Sequence, residues 1–391
     1  MSDLSVSGVE WYRVDGDRPW VFVRVETDAG VHGVGEVPLR PAANSLDQLE
    51  RMAAEHLLGA DPFETADLLR TRGLSGAGRN NVLGTTILGG FDVACWDLKG
   101  RHLGAPVHEL LGGKVHGDWL RAYANGWDFE ARDVVSAYHE GEDAASVLED
   151  TRAVITEAAE AVVDAGYDAL KFSPFQWGTG PTTTGAELDR ALDVVAAVDE
   201  AVGPDVELLV EGHKNLSREK ALRAARRLAE FDPGFYEEPV HADVNALRRV
   251  ARHSPVPVAT GESITTHHGY ADLIYDTDVS VVQPDVVRSG GITELARVAA
   301  MASAERVGFA PHNAAGPVMT AAAVQVDATA PAFMIQESFE EFSHPEWTDD
   351  LLTASLTVED GRVRVPDRPG IGVDLDVDAV RERAVASGRV E

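Results

Sequence analysis

This sequence is short of three things, and each shortage excludes something. It has one cysteine, Cys95, in 391 residues, so an internal disulfide and a thiolate metal cluster of its own are both ruled out. No apolar run reaches the roughly 18 residues that a membrane span needs. Residues 1–9 lack the basic start and apolar centre of a signal peptide, so a soluble, cytoplasmic protein with no membrane partner is expected. Lysine is the third shortage: only Lys99, Lys114, Lys171, Lys214 and Lys220 stand among 34 basic residues.

Acid, by contrast, is abundant. Asp and Glu number 65 and the formal net charge is −31. A surface rich in carboxylates and stripped of lysine stays hydrated in concentrated salt, where screening removes most of its self-repulsion, so a halophilic source is expected. Nothing offers a basic stripe, which argues against a nucleic-acid partner. In so acidic a chain a lone carboxylate carries little information, and position must carry the inference.

The length is too great for one ordinary core and suits a large barrel with a smaller second domain. Residues 6–35 read as two or three strands, with a turn at Asp28-Ala29-Gly30. Residues 33–44, which include Glu36, and the glycine-rich stretch 73–81 read as exposed loops. From Leu46 the pattern turns helical, and 85–103 reads as a long helix apolar around most of its circumference, hence buried. Cys95 lies on it and reads as core. Beyond Trp119, strand and helix alternate, interrupted by a polar, acidic insertion at 136–149 with little periodicity. Counting from Leu120, with the last strand at 332–335, gives eight strands, which close a (β/α) barrel. The tail returns to β-turn-β near Asp360-Gly361 and is expected to pack on the first domain. The expected fold is α/β: a modified TIM barrel (118–355) with an α+β capping domain (1–117) joined by the C-terminal tail (356–391).

The informative stretch is 208–263, where three short apolar runs each end on a glutamate. Glu211, Glu237 and Glu262 are separated by 26 and 25 residues, the length of one βα unit, so they recur at successive strand ends. In a barrel those ends converge on one mouth. Lys171 and Ser173, His213, Gln283 and Asp285, His312 and Glu337 fall at equivalent places, and pairs spaced i, i+2 share a face while the strand stays extended. Hard oxygen ligands without cysteine suit Mg²⁺, with Mn²⁺ as the alternative. Singly, each glutamate could be a solvated turn residue; the matched set points to a metal site. Asp285 and His312 end adjacent strands, and a carboxylate that orients an imidazole makes it a better base. Trp127 reads equally as pocket wall or packing. Ser289-Gly290-Gly291 lacks the spaced pattern of a phosphate loop.

Taken together, these pieces resemble the enolase superfamily in its mandelate racemase subgroup, and most closely its acid-sugar dehydratases. The pieces are 90–100 (GFDVACWDLKG), Leu110-Leu111-Gly112-Gly113, 123–127 (YANGW), 166–172 (GYDALKF) and Val210-Glu211-Gly212-His213. They continue with Glu237-Glu238-Pro239, Gly261-Glu262, Gln283-Pro284-Asp285, Pro311-His312-Asn313 and Ile335-Gln336-Glu337. The resemblance implies Glu211, Glu237 and Glu262 as magnesium ligands, Asp285 and His312 as the base dyad, and Glu337 as a hydrogen-bond partner of the enolate. It further implies capping loops that close over the substrate and a homo-oligomer, dimer to octamer. Two departures stand out. Glu211 is one methylene longer than the aspartate usual at the first ligand position, and Ser173 stands where racemising relatives carry a second lysine.

The reaction implied is magnesium-dependent dehydration of a sugar acid such as gluconate or galactonate. His312 would take the α-proton to give an enediolate, and His213 would act as acid toward the leaving hydroxyl, with Lys171 near the substrate carboxylate. The superfamily's use of a Lys or His base with Mg²⁺ is an established pattern. The rivals are a racemase or epimerase on the same ion, a Schiff-base aldolase using Lys171, and a non-catalytic binding relative.

Overall fold

The computed structural model describes residues 4–16, 19–39, 45–66, 68, 82–178, 180–241, 244–339 and 342–391. The chain begins with three antiparallel strands, β1 (Val6–Val14), β2 (Trp20–Thr27) and β3 (His32–Val37). Helices α1 (Ser45–His56), α2 (Val82–Leu103) and α3 (Val107–Leu110) follow. Valines and aromatics along β1 and β2 form a core with Leu49, Ile87, Phe91 and Leu98 of the helices.

One expected loop is corrected here. Residues 33–37 are strand, not exposed loop, and Glu36 is fully buried. Gly33 and Gly35 are the reason: a Cβ at these positions would stand 2.1 Å from the Ala94 carbonyl oxygen and 2.2 Å from that of Gly90. Glycine here does not loosen the chain but lets β3 lie directly on α2. Residues 40–44 and 73–81, the remainder of the expected capping loops, lie outside the described residues.

The barrel is built from β4 (Trp119–Ala124), β5 (Ala169–Phe172), β6 (Glu207–Glu211), β7 (Phe235–Glu237), β8 (Val258–Thr260), β9 (Val281–Val282), β10 (Gly308–Phe309) and β11 (Gln336–Ser338), all parallel. The eighth strand is shifted from the expected 332–335. That segment bonds to Phe309, whereas Gln336–Ser338 pairs with β4, so two successive pieces of chain close the ring. The interior is filled by one side chain from each strand or its edge: Tyr123, Ala169, Leu209, Phe235, Ala259, Val281, Ala310 and Ile335.

Outside run α4 (Phe129–His139), α5 (Ala144–Asp164), α6 (Gly185–Val202), α7 (Arg218–Leu228), α8 (Val244–His253), α9 (Thr266–Asp276), α10 (Ile292–Glu305) and α11 (Pro317–Asp327). The expected irregular insertion at 136–149 is therefore wrong. It holds the end of α4 and the start of α5, whose first turn is capped by the Asp143 carboxylate accepting from Ala145 and Ser146. Val147, Thr151 and Ile155 bury one narrow stripe while the acidic remainder faces solvent, which hides the helical period in the sequence.

The tail contributes β12 (Leu352–Ala354), β13 (Val358–Glu359), β14 (Arg362–Arg364), β15 (Asp374–Leu375), α12 (Val377–Arg383) and β16 (Ala384–Val390). It divides. The β13–β14 hairpin extends the barrel sheet at β4, while β16 pairs with β1. The expectation that the tail packs on the first domain fails for the β13–β14 hairpin and holds from Asp367 onward, where Lys114 bonds Asp367, the Ile371 N–H donates to Asp97 and Arg101 meets Asp374.

Candidate functional site

Parallel register puts Glu211 directly beside Glu237 at the ends of β6 and β7, and Glu262 follows β8 by two residues. One oxygen from each of the three lies within 4.8 Å of the others. Three carboxylates this close repel one another unless each is compensated, and the chain supplies a separate partner for each.

Glu211 accepts from Ser173 Oγ at 2.8 Å and from His213 Nδ1 at 2.8 Å. Glu237 accepts from Lys171 Nζ at 2.8 and 3.0 Å and from Gln283 Nε2 at 2.6 Å. Glu262 is bonded by Lys214 Nζ, which also reaches Ser263 Oγ at 2.9 Å. Burial alone would raise the Glu262 carboxyl, but His312 and Lys214 bring it down to about 2. The oxygen-only donor set, crowded to this degree, fits a hard divalent cation in place of some of these internal partners.

His312, after β10, sits beside the same cluster. Its Nε2 is 3.2 Å from Glu262 Oε2 and its Nδ1 is 3.0 Å from Asp285 Oδ2. Asp285 is buried, and its other oxygen accepts the backbone N–H groups of Val287 and Arg288 at 3.0 and 2.8 Å. Against the upward push of burial, Arg288 and His312 hold its carboxyl below the usual range. Burial disfavours the imidazolium of His312, but Glu262, Glu337 and the bond to Asp285 outweigh it and raise its pKa above 6.5.

Lys171 is buried, and besides Glu237 it reaches Glu337 Oε1 at 2.7 Å. Desolvation favours the neutral amine, yet Glu237 and Glu337 keep its pKa well above the lysine value. Glu337 itself is fully buried in β11. It accepts from Asn125 Nδ2 at 2.6 Å and from the Asn313 N–H at 2.5 Å. Lys171, foremost among its neighbours, overrides burial and holds it below the usual carboxyl range.

All eight residues expected at the site therefore meet at one mouth. His213 is its most exposed member, 56% accessible at the side chain. The turn that carries it is strained: His213 and Lys214 have φ of 47° and 62°, and Glu238 across from them has φ of 40°. Left-handed non-glycine residues cost free energy and persist where the surroundings over-determine them. Here the Lys214 N–H donates to the Glu238 carbonyl at 2.8 Å, and the turn sets His213 and Lys214 on two different carboxylates. Trp127 resolves to packing, its ring 5.8 Å from that of Phe172. Lys214 was not among the expected site residues, although a lysine immediately after Glu211-Gly212-His213, in a chain with five, was the available signal. Gln283 and Asn125 join the site as donors to Glu237 and Glu337.

Comparisons with known proteins agree with this geometry. Residues 13–112 match the mandelate racemase / muconate lactonizing enzyme N-terminal domain, and 153–380 match the enolase C-terminal domain-like family. The chain is 35% identical to the D-gluconate dehydratase of Thermoproteus tenax, covering 97% of this chain and 72% of that one. It is 32% identical to the D-galactonate dehydratase of Ralstonia pickettii, over 93% and 91%. Among solved structures, an enolase superfamily member from Salmonella Typhimurium superimposes with a TM-score of 0.87 at 27% identity, over 99% and 100% of the two chains. A mandelate racemase/muconate lactonizing enzyme from Jannaschia sp. CCS1 does so at 0.86 and 28%, over 98% of each. With a family match in each domain and the carboxylate cluster at the barrel mouth, the chain belongs to the enolase superfamily, in its mandelate racemase/muconate lactonizing group.

Proposed function

We propose that this enzyme dehydrates a sugar acid of the aldonate class, gluconate or galactonate, to a 2-keto-3-deoxy acid, with Mg²⁺ held by Glu211, Glu237 and Glu262. The observation that carries the reading is the pairing at one mouth of a three-carboxylate cluster with a buried imidazole held by a carboxylate outside the cluster, His312 on Asp285. The names of the relatives support the substrate class. Bound at the cluster, the ion would neutralise the substrate carboxylate and offset the negative charge that develops beside it.

The chain's own residues do the rest. His312 Nε2 takes the proton from C2, and the C–H electron pair moves into the C1–C2 enediolate. Asp285 keeps the other ring nitrogen protonated and stabilises the imidazolium. The enediolate then expels the C3 hydroxyl, which leaves as water with a proton from His213, and the enol tautomerises to the ketone. Lys171, fixed between Glu237 and Glu337, supplies positive charge at the floor of the site.

Two rivals are disfavoured by particular residues. A two-base racemase lacks its second base, because the position holds Ser173, whose hydroxyl is engaged by Glu211. A Schiff-base aldolase needs a neutral amine, and Lys171 is kept charged by two carboxylates. The test is a screen of aldonates with Mg²⁺ in high salt, scored for 2-keto-3-deoxy product. α-Hydrogen exchange without a ketone would instead mark a racemase. Borohydride trapping together with EDTA resistance would mark an aldolase.

A further inference from the structure

Helix α11 begins five residues after His312, and it begins without a cap of its own. Its N-cap residue is Gly316, which has no side chain to accept the first-turn N–H groups. Such groups are left unpaired unless something else reaches them. What reaches them is Glu36, from β3 of the other domain. One of its oxygens accepts the Gly316 N–H at 2.6 Å and the other accepts that of Met319 at 3.1 Å.

The fit depends on the glycine. A Cβ at Gly316 would stand 2.9 Å from both Glu36 oxygens and 3.0 Å from the Trp20 ring, although the backbone there is ordinary extended chain, φ −86° and ψ −175°. Glycine is thus needed for room, not for its torsion angles. Glu36 is fully buried and forms no ion pair among the described residues. Burial pushes its carboxyl up to about 7, opposed by the Gly316 and Met319 amides, so the charge it does carry rests on the helix end.

Trp20 of β2 packs against the same segment, its ring 5.2 Å from that of His344, and further bonds come from the barrel and the residues after β11. Asn313 binds Glu337 and Thr320, and the Ala315 carbonyl is 2.9 Å from His344 Nε2. We propose that Glu36 is a positioning residue: it caps a barrel helix from the capping domain and thereby fixes where His312 stands relative to the roof of the site. The proposal rests on the reading of His312 as the base.

The test separates capping from positioning. Glu36→Ala is expected to lower Tm by roughly 2–6 °C, the scale of a lost helix cap. It should also lower kcat at least tenfold with KM within about threefold. Adding Gly316→Ser restores a cap from within α11 in the space the carboxylate vacates, so E36A/G316S should regain the Tm and not the kcat. Recovery of kcat together with Tm would overturn the proposal, as would an unchanged kcat in E36A. Should E36A fail to fold, Glu36→Gln, which keeps one accepting oxygen, should lose about three- to tenfold in kcat; wild-type kcat in E36Q would equally refute it. Hydrogen exchange needs no turnover: in E36A the amides of 312–320 should exchange faster while the later turns of α11 do not, and unchanged exchange would overturn the strut. Failure of the wild type on every sugar acid would sink the dehydratase reading and leave exchange to decide this one.

Discussion

Two sets of buried carboxylates divide this molecule, and they differ in the balance of neutral and charged partners. At the seam between the domains, Glu36, Asp92 and Asp97 take their hydrogen bonds largely from backbone N–H groups and a hydroxyl. Asp92 accepts from the Thr293 N–H and Oγ, and Asp97 from the N–H groups of Val34 and Ile371, with Arg101 alongside. Burial pushes the Asp92 and Asp97 carboxyls up to about 7 and about 6. At the barrel mouth the acids face Lys171, Lys214, His213 and His312; Glu262 is held near 2, while burial raises the Glu237 carboxyl against the pull of Lys171. A buried acid among neutral donors serves as a strut, whereas a buried acid among cations is part of an exchangeable charge array. What separates the two places is the partners.

That contrast can be broken, beginning at the mouth, where effects should be largest. Replacing His312 with asparagine should cut turnover by roughly 10²–10⁴-fold while cation binding, read by calorimetry, persists; retained activity would remove the dyad from the mechanism. Lys171→Met leaves Glu237 and Glu337 buried without their cation and should cost about 3–5 kcal/mol in denaturant unfolding. A near-neutral outcome would mean that the mouth acids are struts after all. Glu262→Gln should weaken Mg²⁺ or Mn²⁺ binding by roughly 10–100-fold, and an unchanged affinity would place the cation elsewhere. Lys214→Met should act in the opposite direction, raising cation affinity by several-fold to about tenfold, because a competing positive charge leaves a cation ligand. Weaker binding in that variant would make Lys214 a support rather than a competitor.

The smallest effect belongs to the seam and concerns pH. The Asp92 carboxyl moves from 3.8 to about 7 on folding. Across that window the native state holds a proton that the unfolded chain has released, so this group's contribution to stability falls as pH rises. Asp92→Asn mimics the protonated form. Its urea midpoint should match the wild type near about pH 5 and exceed it near about pH 8; parallel midpoints would mean that Asp92 stays ionised in the fold.

How much of this was legible in the sequence follows from geometry. Strand-end residues are readable because a barrel forces every strand's C-terminal end to one mouth, and period-2 parity then selects Lys171 with Ser173; His213 joins Glu211 through a left-handed turn, which parity does not describe. Glu36 was not readable, because Gly33 and Gly35 signal a loop unless one knows that α2 lies against them. The start of α5 escaped because its buried stripe is one residue wide. The eighth strand came out misplaced since no local pattern says that 332–335 serves one neighbour and 336–338 the other. What single-chain periodicity supplies is parity and order; it carries no record of which distant backbone will press on a glycine or fill an empty helix cap.

The pairing of β16 with β1 bears on how the protein is made. The capping sheet lacks its edge strand until residues 384–390 have been synthesised, after the entire barrel. Early in translation β1 presents an unpaired edge, and unpaired edges invite association with other chains. Closing that sheet links residues nearly four hundred positions apart, a contact of very high sequence separation and therefore slow to form. Assembly of the roof should accordingly lag the barrel. A fusion or truncation at the far end of the chain would be felt first in the fidelity of folding, well away from the residues that bind and react.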